Sequence, residues 1–212
     1  MRLFCKQLIG KDSQMIIKAK EISSINELSQ VNNYQKIMLS NQHTTVSKGF
    51  LAESVKFTRD QQTTVDALIR PNLNDYHYND LEIKIMEADI FEAQALGIDG
   101  VAIGAATAKQ ELDTDTLEQL IGAAYGMQVI LNHVFDELSF TNQKKAIDFA
   151  NEHGIDAIMV TANFDSEQAI QNLKELVEYN QGSVQFILTG TEIHRLEAMC
   201  NELGIHELML EN

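Results

Sequence analysis

Apolar residues in this chain fall in short, near-continuous runs at residues 2–6, 36–40, 65–70, 98–103, 127–132, 155–161, 184–189 and 206–210. Runs of this length and composition are expected for strands covered on both faces. Between them, residues 13–30, 47–59, 80–96, 113–125, 141–153, 166–179 and 191–203 show helical spacing. Three of these helical patterns end alike, in Leu96-Gly97-Ile98-Asp99, His153-Gly154-Ile155-Asp156 and Leu203-Gly204-Ile205-His206. Glycine at the position after a helix takes the left-handed conformation at little steric cost, and an apolar strand follows each time. The helix before Gly97 is the clearest. Asn79 can cap it, Glu82 can reach back to complete a capping box, and Leu81, Ile85, Ile90 and Ala93 predict its buried stripe.

Strand and helix alternate throughout, which predicts an α/β TIM-type (β/α)8 barrel of eight parallel strands, one domain over residues 1–212. Seven helices are expected, because no helical pattern follows the last strand. A doubly wound open sheet is the competing fold. It lacks its usual support, since no GxGxxG follows the first strand and no Gly-Lys-Thr phosphate loop occurs.

Charge narrows the partners. With 31 acidic against 16 basic side chains, the formal charge of −15 disfavours nucleic acid and anionic membrane surfaces. No stretch approaches the roughly 18 apolar residues of a membrane helix, so a cytoplasmic location is expected. Cys5 and Cys200 lie far apart, form no Cys-x-x-Cys, and read as buried, reduced thiols.

In such a barrel, function resides just beyond the strand C-termini. Pro71, the only proline, follows Arg70 where the third strand gives way to a polar loop carrying Asp75, Tyr76, His77 and Tyr78. Proline holds the preceding residue extended, which aims the Arg70 guanidinium toward whatever the loop encloses. Asn132, His133 and Asp136 follow the fifth strand, Thr161 the sixth, Thr189, Gly190 and Thr191 the seventh, and Met209 and Glu211 close the eighth. Arg70 with His133 and Asp136 could bind a small anionic ligand and move a proton, His133 or Asp136 being the catalytic candidates. The plainer alternatives are that Arg70 pairs structurally with Asp75 or Asp136, that Thr191 caps a helix after Gly190, and that Met38, Met127, Met159 and Met209 fill the core. The histidines show no His-x-x-x-His zinc pair.

The segment Ile69-Arg70-Pro71-Asn72-Leu73-Asn74-Asp75-Tyr76-His77-Tyr78-Asn79-Asp80 resembles the IRPRGGDF-x-Y-S-D signature of the CutC family. EIKIMEADI and ALGIDGVAIGAAT extend the likeness, FCKQ resembles the family strand that carries Cys5, and LNHVFDEL keeps Phe135 and Asp136 of F-H-R-A-F-D. The resemblance implies a cytoplasmic, homo-oligomeric barrel taking part in copper homeostasis, with Cu(I) held by Cys5 and a methionine or histidine such as Met209. The chain departs from the pattern at Ser40, at Asn72-Leu73-Asn74, at Asn132-His133, in a seventh loop keeping only Gly190, and at Met209. These departures leave two further readings open: an enzyme acting on a small phosphate or carboxylate metabolite, and a non-catalytic interaction scaffold. The ligand-binding candidates are Arg70, Asp75, Tyr78, Asn132, His133, Asp136, Thr161 and Gly190.

Overall fold

A computed structural model describes residues 15–212. Eight parallel strands close a barrel in sequence order: β1 (Ile17–Ile22), β2 (Lys36–Leu39), β3 (Thr64–Leu68), β4 (Gly100–Ile103), β5 (Gln128–Leu131), β6 (Ala157–Thr161), β7 (Gln185–Gly190) and β8 (Glu207–Leu210). β8 pairs with β1, with Met209 beside Ala19. Six helices surround it: α1 (Lys48–Thr58), α2 (Asp80–Leu96), α3 (Thr114–Ala123), α4 (Phe140–His153), α5 (Glu167–Asn180) and α6 (Ile193–Leu203).

The barrel prediction holds, but its first unit is different. The expected strand at residues 2–6, and Cys5 with it, lies outside the described residues. The helix expected over 13–30 is instead β1 followed by a 3-10 turn, Glu27–Asn33. Because so short a crossover leaves the outer face of β1 thinly covered, that face carries Lys18 and Lys20, which reach Glu197 and Asn212. Ile16, Ala19, Ile22, Ile25 and Leu28 recur every three residues through the strand and the turn, which mimics helical spacing. The three glycine stops are as expected, with Gly97, Gly154 and Gly204 at φ of 84°, 78° and 68°. Asn79 and Glu82 form their capping box. The stripe of α2 requires correction, for Met86, Ile90 and Ala93 are buried whereas Leu81 and Ile85 face outward.

Strand alternation sends every second residue inward and arranges the barrel interior in three tiers. At the N-terminal end, Lys36 contacts Asp66 at 2.9 Å and Glu207 at 3.2 Å and donates to Gln128 at 3.0 Å, while Gln185 donates to Glu207 at 2.6 Å. Burial pushes the Asp66 carboxyl up to about 6, Lys36 offsetting only part of that effect. A Cβ at Gly100 would meet Asp66 Oδ1 at 2.5 Å, so glycine makes room for the buried carboxylate. The middle tier is an apolar cluster of Ala19, Met38, Leu68, Ala102, Ile130, Ala157, Met159, Ile187 and Met209. Above it, at the strand C-termini, the interior becomes polar again.

Candidate active site at the barrel mouth

The next inward positions beyond the apolar tier are Glu21, Ser40, Arg70, Asn132, Thr161, Thr189 and Glu211. Each is two residues past an inward apolar neighbour, which is why chain segments remote in sequence meet here. A cavity of about 260 Å³ opens among them, lined by His43, Leu68, Arg70, Tyr76, Asn132, His133, Glu137, Thr161 and Glu211.

His133 begins a 3-10 turn, His133–Glu137, whose N-cap is Asn132. Its Nδ1 lies 2.9 Å from Asp136 Oδ2 and its Nε2 lies 2.8 Å from Glu211 Oε1. Burial alone would lower the imidazole pKa, but the hydrogen bonds and charges of both carboxylates outweigh it, and the group is pushed up to about 9. His133 is therefore an imidazolium at neutral pH, donating from both nitrogens. For Glu211, burial pushes the carboxyl up and the His133 hydrogen bond and charge pull it down further, so the net displacement is below the ordinary value. Thr161 fixes the other carboxylate, its hydroxyl donating to Asp136 Oδ2 at 2.7 Å and its N–H lying 3.2 Å from both oxygens.

Two donors beside this unit have no hydrogen-bond acceptor among the described residues: Arg70 Nε and Asn132 Nδ2. Asn132 is buried, as is Thr189, whose hydroxyl helps hold Glu211 ionised. The Asn132 amide is oriented by its own turn, because Oδ1 accepts from Val134 N–H at 3.0 Å and leaves the NH2 free. Gly104 permits this placement, since a Cβ there would collide with Asn132 Oδ1 and Val134. Arg70 packs its guanidinium over the Tyr76 ring, 4.3 Å from the centroid. Its backbone is tied to Thr45, N–H to Oγ1 at 2.9 Å and carbonyl from the Thr45 N–H at 3.0 Å. Arg70 forms no ion pair with Asp75 or Asp136 among the described contacts, so the structural pairing weighed against its ligand role is not present. Burial pushes the Tyr76 hydroxyl up to about 12, against the opposing pull of Arg70, and moves the buried Tyr78 hydroxyl up as well.

The mouth thus gathers Arg70, Asn132, His133, Asp136 and Thr161. Tyr78 is buried, whereas Asp75 is exposed in the loop, where it accepts the His77 N–H and lines a neighbouring cavity of about 250 Å³ shared with Arg70. Gly190 ends β7, and α6 starts only after Glu192, which caps it with no side-chain bond, so Thr191 is not its cap. Sequence reading placed Thr189 and Glu211 at the mouth without a role, and passed over Glu21. Inward parity along β1, β7 and β8 was the available signal. Glu21 accepts from the Ser40 hydroxyl and stands 3.7 Å from His43.

Soft-metal donors are arranged differently. Met209 is part of the dry middle tier. Cys200 is buried on α6 with its thiol facing the Glu207 carbonyl, and burial pushes it up to about 12. Among the described residues no group of three His, Cys, Asp or Glu side chains is placed to hold a metal ion. No described helix is long and apolar enough to cross a membrane.

The CutC family model matches residues 35–212, which takes in seven of the eight strands and the Arg70 segment. The chain belongs to the CutC family. Among curated CutC family proteins, one from Enterococcus faecalis is 38% identical over 139 residues, covering 64% of this chain and 66% of its own length. Another, from Streptococcus pyogenes, is 32% identical over 150 residues, 69% of this chain and 72% of its own. The chain thus spans only about two thirds of the length of these CutC relatives in the matched region. A solved CutC structure from Streptococcus agalactiae, titled as a copper homeostasis protein, superposes with a TM-score of 0.86 at 27% identity, covering 92% of this chain and 98% of that one.

Proposed function

We propose that the barrel mouth binds a small metabolite bearing a carboxylate or phosphate and exchanges a proton with it. One observation carries this reading. Arg70 Nε and Asn132 Nδ2 are donors without acceptors in a polar cavity, and a buried donor left unpaired costs about 1–3 kcal/mol, which an incoming anion would recover. Arginine and amide donors together suit an oxyanion better than a neutral group. The same cavity is lined by Glu211 and Glu137, which favour a hydroxyl or amine on the same ligand. Within that arrangement His133 holds the proton and Asp136, anchored by Thr161, keeps the ring oriented. Glu211, which accepts the His133 Nε2 proton, is placed to pass that proton from the imidazolium to the ligand and to return it to the then neutral imidazole.

The test is ligand-induced thermal stabilisation with inorganic phosphate and a panel of small hydroxycarboxylates, on the wild type and on Arg70→Ala. Stabilisation by at least one probe, lost in the variant, is expected. Equal stabilisation of both proteins would remove the anion clamp from this site.

A second reading, participation in copper handling, is favoured by the likeness to the S. agalactiae CutC, named for copper homeostasis. For this chain it rests on Cys5, because the described donors do not make a soft-metal site. Anaerobic Cu(I) titration of the wild type and Cys5→Ser tests it: one tightly held ion per chain, lost in the variant, is the supporting result.

A further inference from the structure

We propose that the ligand of the barrel mouth is a zwitterion, an amino acid or an aminoalkyl phosphate, whose anionic end meets Arg70 and Asn132 and whose ammonium group meets Glu137 and Asp75 in the cavity beside the mouth. The anion clamp at Arg70 underlies this assignment, which adds the second charge of the ligand. The mouth cavity and its neighbour, of about 260 and 250 Å³, share Arg70, Tyr76 and Glu137 as a common wall. Either volume alone is below the roughly 300–1,000 Å³ of small-molecule pockets, and the two together fall within that range. The neighbouring cavity has ordered sides. One is the loop carrying Asp75 and the other is the loop after β4, joined by the Ala106 N–H, which donates to the Tyr76 carbonyl at 2.8 Å. Ala106 is bridged in turn to Leu112, and Asn142 Nδ2 donates to the Gln110 carbonyl at 3.2 Å, which holds the far edge.

The charges on these walls do not balance. Among the described residues Arg70 is the one lysine or arginine lining either cavity, whereas Asp75, Glu137 and Glu211 are the carboxylates. Glu211 is already paired with the His133 imidazolium at 2.8 Å. Glu137, on the common wall, has neither a hydrogen bond nor an ion pair from its side chain among the described residues. Asp75 uses Oδ1 to accept the His77 N–H at 3.0 Å, and its Oδ2 has no partner among them. One unpaired cation thus faces two unpaired carboxylates. A ligand with negative charge alone would satisfy Arg70 and the Asn132 amide, which is 1% exposed and has no acceptor, but would leave both carboxylates facing it. An ammonium group on the same ligand turns that repulsion into charge-assisted hydrogen bonds, since all three of its protons donate and it accepts nothing. A hydroxyl in its place would add only a neutral donor. Between the two ends, Ala106 and Leu138 give the side cavity an apolar wall suited to the methylenes that separate the charges.

Calorimetric titration with pairs of probes that differ only in ammonium against hydroxyl tests the assignment: glycine and glycolate, β-alanine and 3-hydroxypropionate, 4-aminobutyrate and 4-hydroxybutyrate, and O-phosphoethanolamine and 2-hydroxyethyl phosphate. In at least one pair the amine is expected to bind about tenfold or more tightly. The pair that binds separates a carboxylate from a phosphate and gives the spacing of the two charges. Because the formal charge of −15 repels the hydroxyl members at long range, preference for an amine is not sufficient, and the variants decide. Glu137→Gln should weaken the amine and leave its hydroxyl analogue bound as well or better, narrowing the gap to about threefold or less. Asp75→Asn, which keeps an oxygen for the His77 N–H, should narrow it in the same direction. Both side chains are exposed, so melting temperatures should stay near the wild-type value. Arg70→Ala should lose both members. Hydroxyl members that bind as tightly as their amines, and lose binding in Arg70→Ala, overturn the zwitterion while leaving the clamp in place. So does an amine preference that survives both Glu137→Gln and Asp75→Asn. Absence of binding by every probe overturns the zwitterion and the clamp together.

Discussion

His133 and Glu211, contributed by the loops after β5 and β8, meet at 2.8 Å across the barrel mouth, and the imidazole is held by Asp136 on its other nitrogen at 2.9 Å. One cation between two carboxylates makes the mouth a proton-holding unit, and its pH dependence follows directly.

Because the folded pKa of His133 is raised from 6.5 to about 9, its contribution to stability is complete below pH 6.5 and lost as pH rises through 9. Glu211 works the other way. Its folded pKa is depressed below 4.5, so its contribution is present above pH 4.5 and disappears as the solution becomes more acidic. Thermal melting should therefore be most favourable between these limits and decline toward alkaline pH by at most about 3 kcal/mol. His133→Gln should flatten the alkaline limb, and a variant with the wild-type slope would show that another group is titrating.

Arg70→Lys is expected to keep the charge but lose the flat stack on Tyr76 and the fork of donors, weakening binding of an anionic probe by about tenfold or more with little change in melting temperature. Calorimetric titration measures it. Wild-type affinity in the lysine variant would mean that only charge matters at this position.

Gly104→Ala places a methyl group where the Asn132 amide and Val134 now lie. The expected cost is about 1–3 kcal/mol, with loss of anion binding because the Asn132 amide must turn away. Urea denaturation and the same titration report the two effects separately, and an unperturbed affinity would remove Asn132 from the site.

At the opposite end of the barrel, Lys36 serves two buried carboxylates. Lys36→Met strands both and should destabilise by about 3–5 kcal/mol. Asp66→Asn leaves one lysine with one carboxylate. The raised pKa of Asp66 means that folding stability falls as pH climbs from 3.8 to about 6 and stays lowered above, so the asparagine variant should be neutral or more stable at pH above 6. A large loss in Asp66→Asn would show that both carboxylates are needed.

Seven strands were readable because each is enclosed on both faces and written in largely apolar residues. β1 was not, since Ile16, Ala19, Ile22, Ile25 and Leu28 recur every three residues across the strand and the 3-10 turn and disguise both as one amphipathic helix. The direction of α2 was ambiguous for the opposite reason: with apolar side chains on two sides, periodicity alone cannot say whether Leu81 or Met86 faces the barrel. At the mouth, Arg70, Asn132 and His133 stood out because proline or a cluster of polar residues follows an apolar run. Glu211, Glu21 and Thr189 carry no such local mark. They reach the cavity only through strand parity and barrel closure, which brings the last residues of the chain beside the first strand.

The nine apolar side chains of the middle tier separate two charged compartments within one barrel. They act as an electrical insulator. Lacking hydroxyl, amide or carboxyl groups, they offer no relay along which a proton could pass from the His133 unit to the Lys36 cluster. The mouth can change its ionisation with each ligand it meets while the charge balance that holds the far end together stays fixed, and replacement of mouth residues leaves that balance untouched.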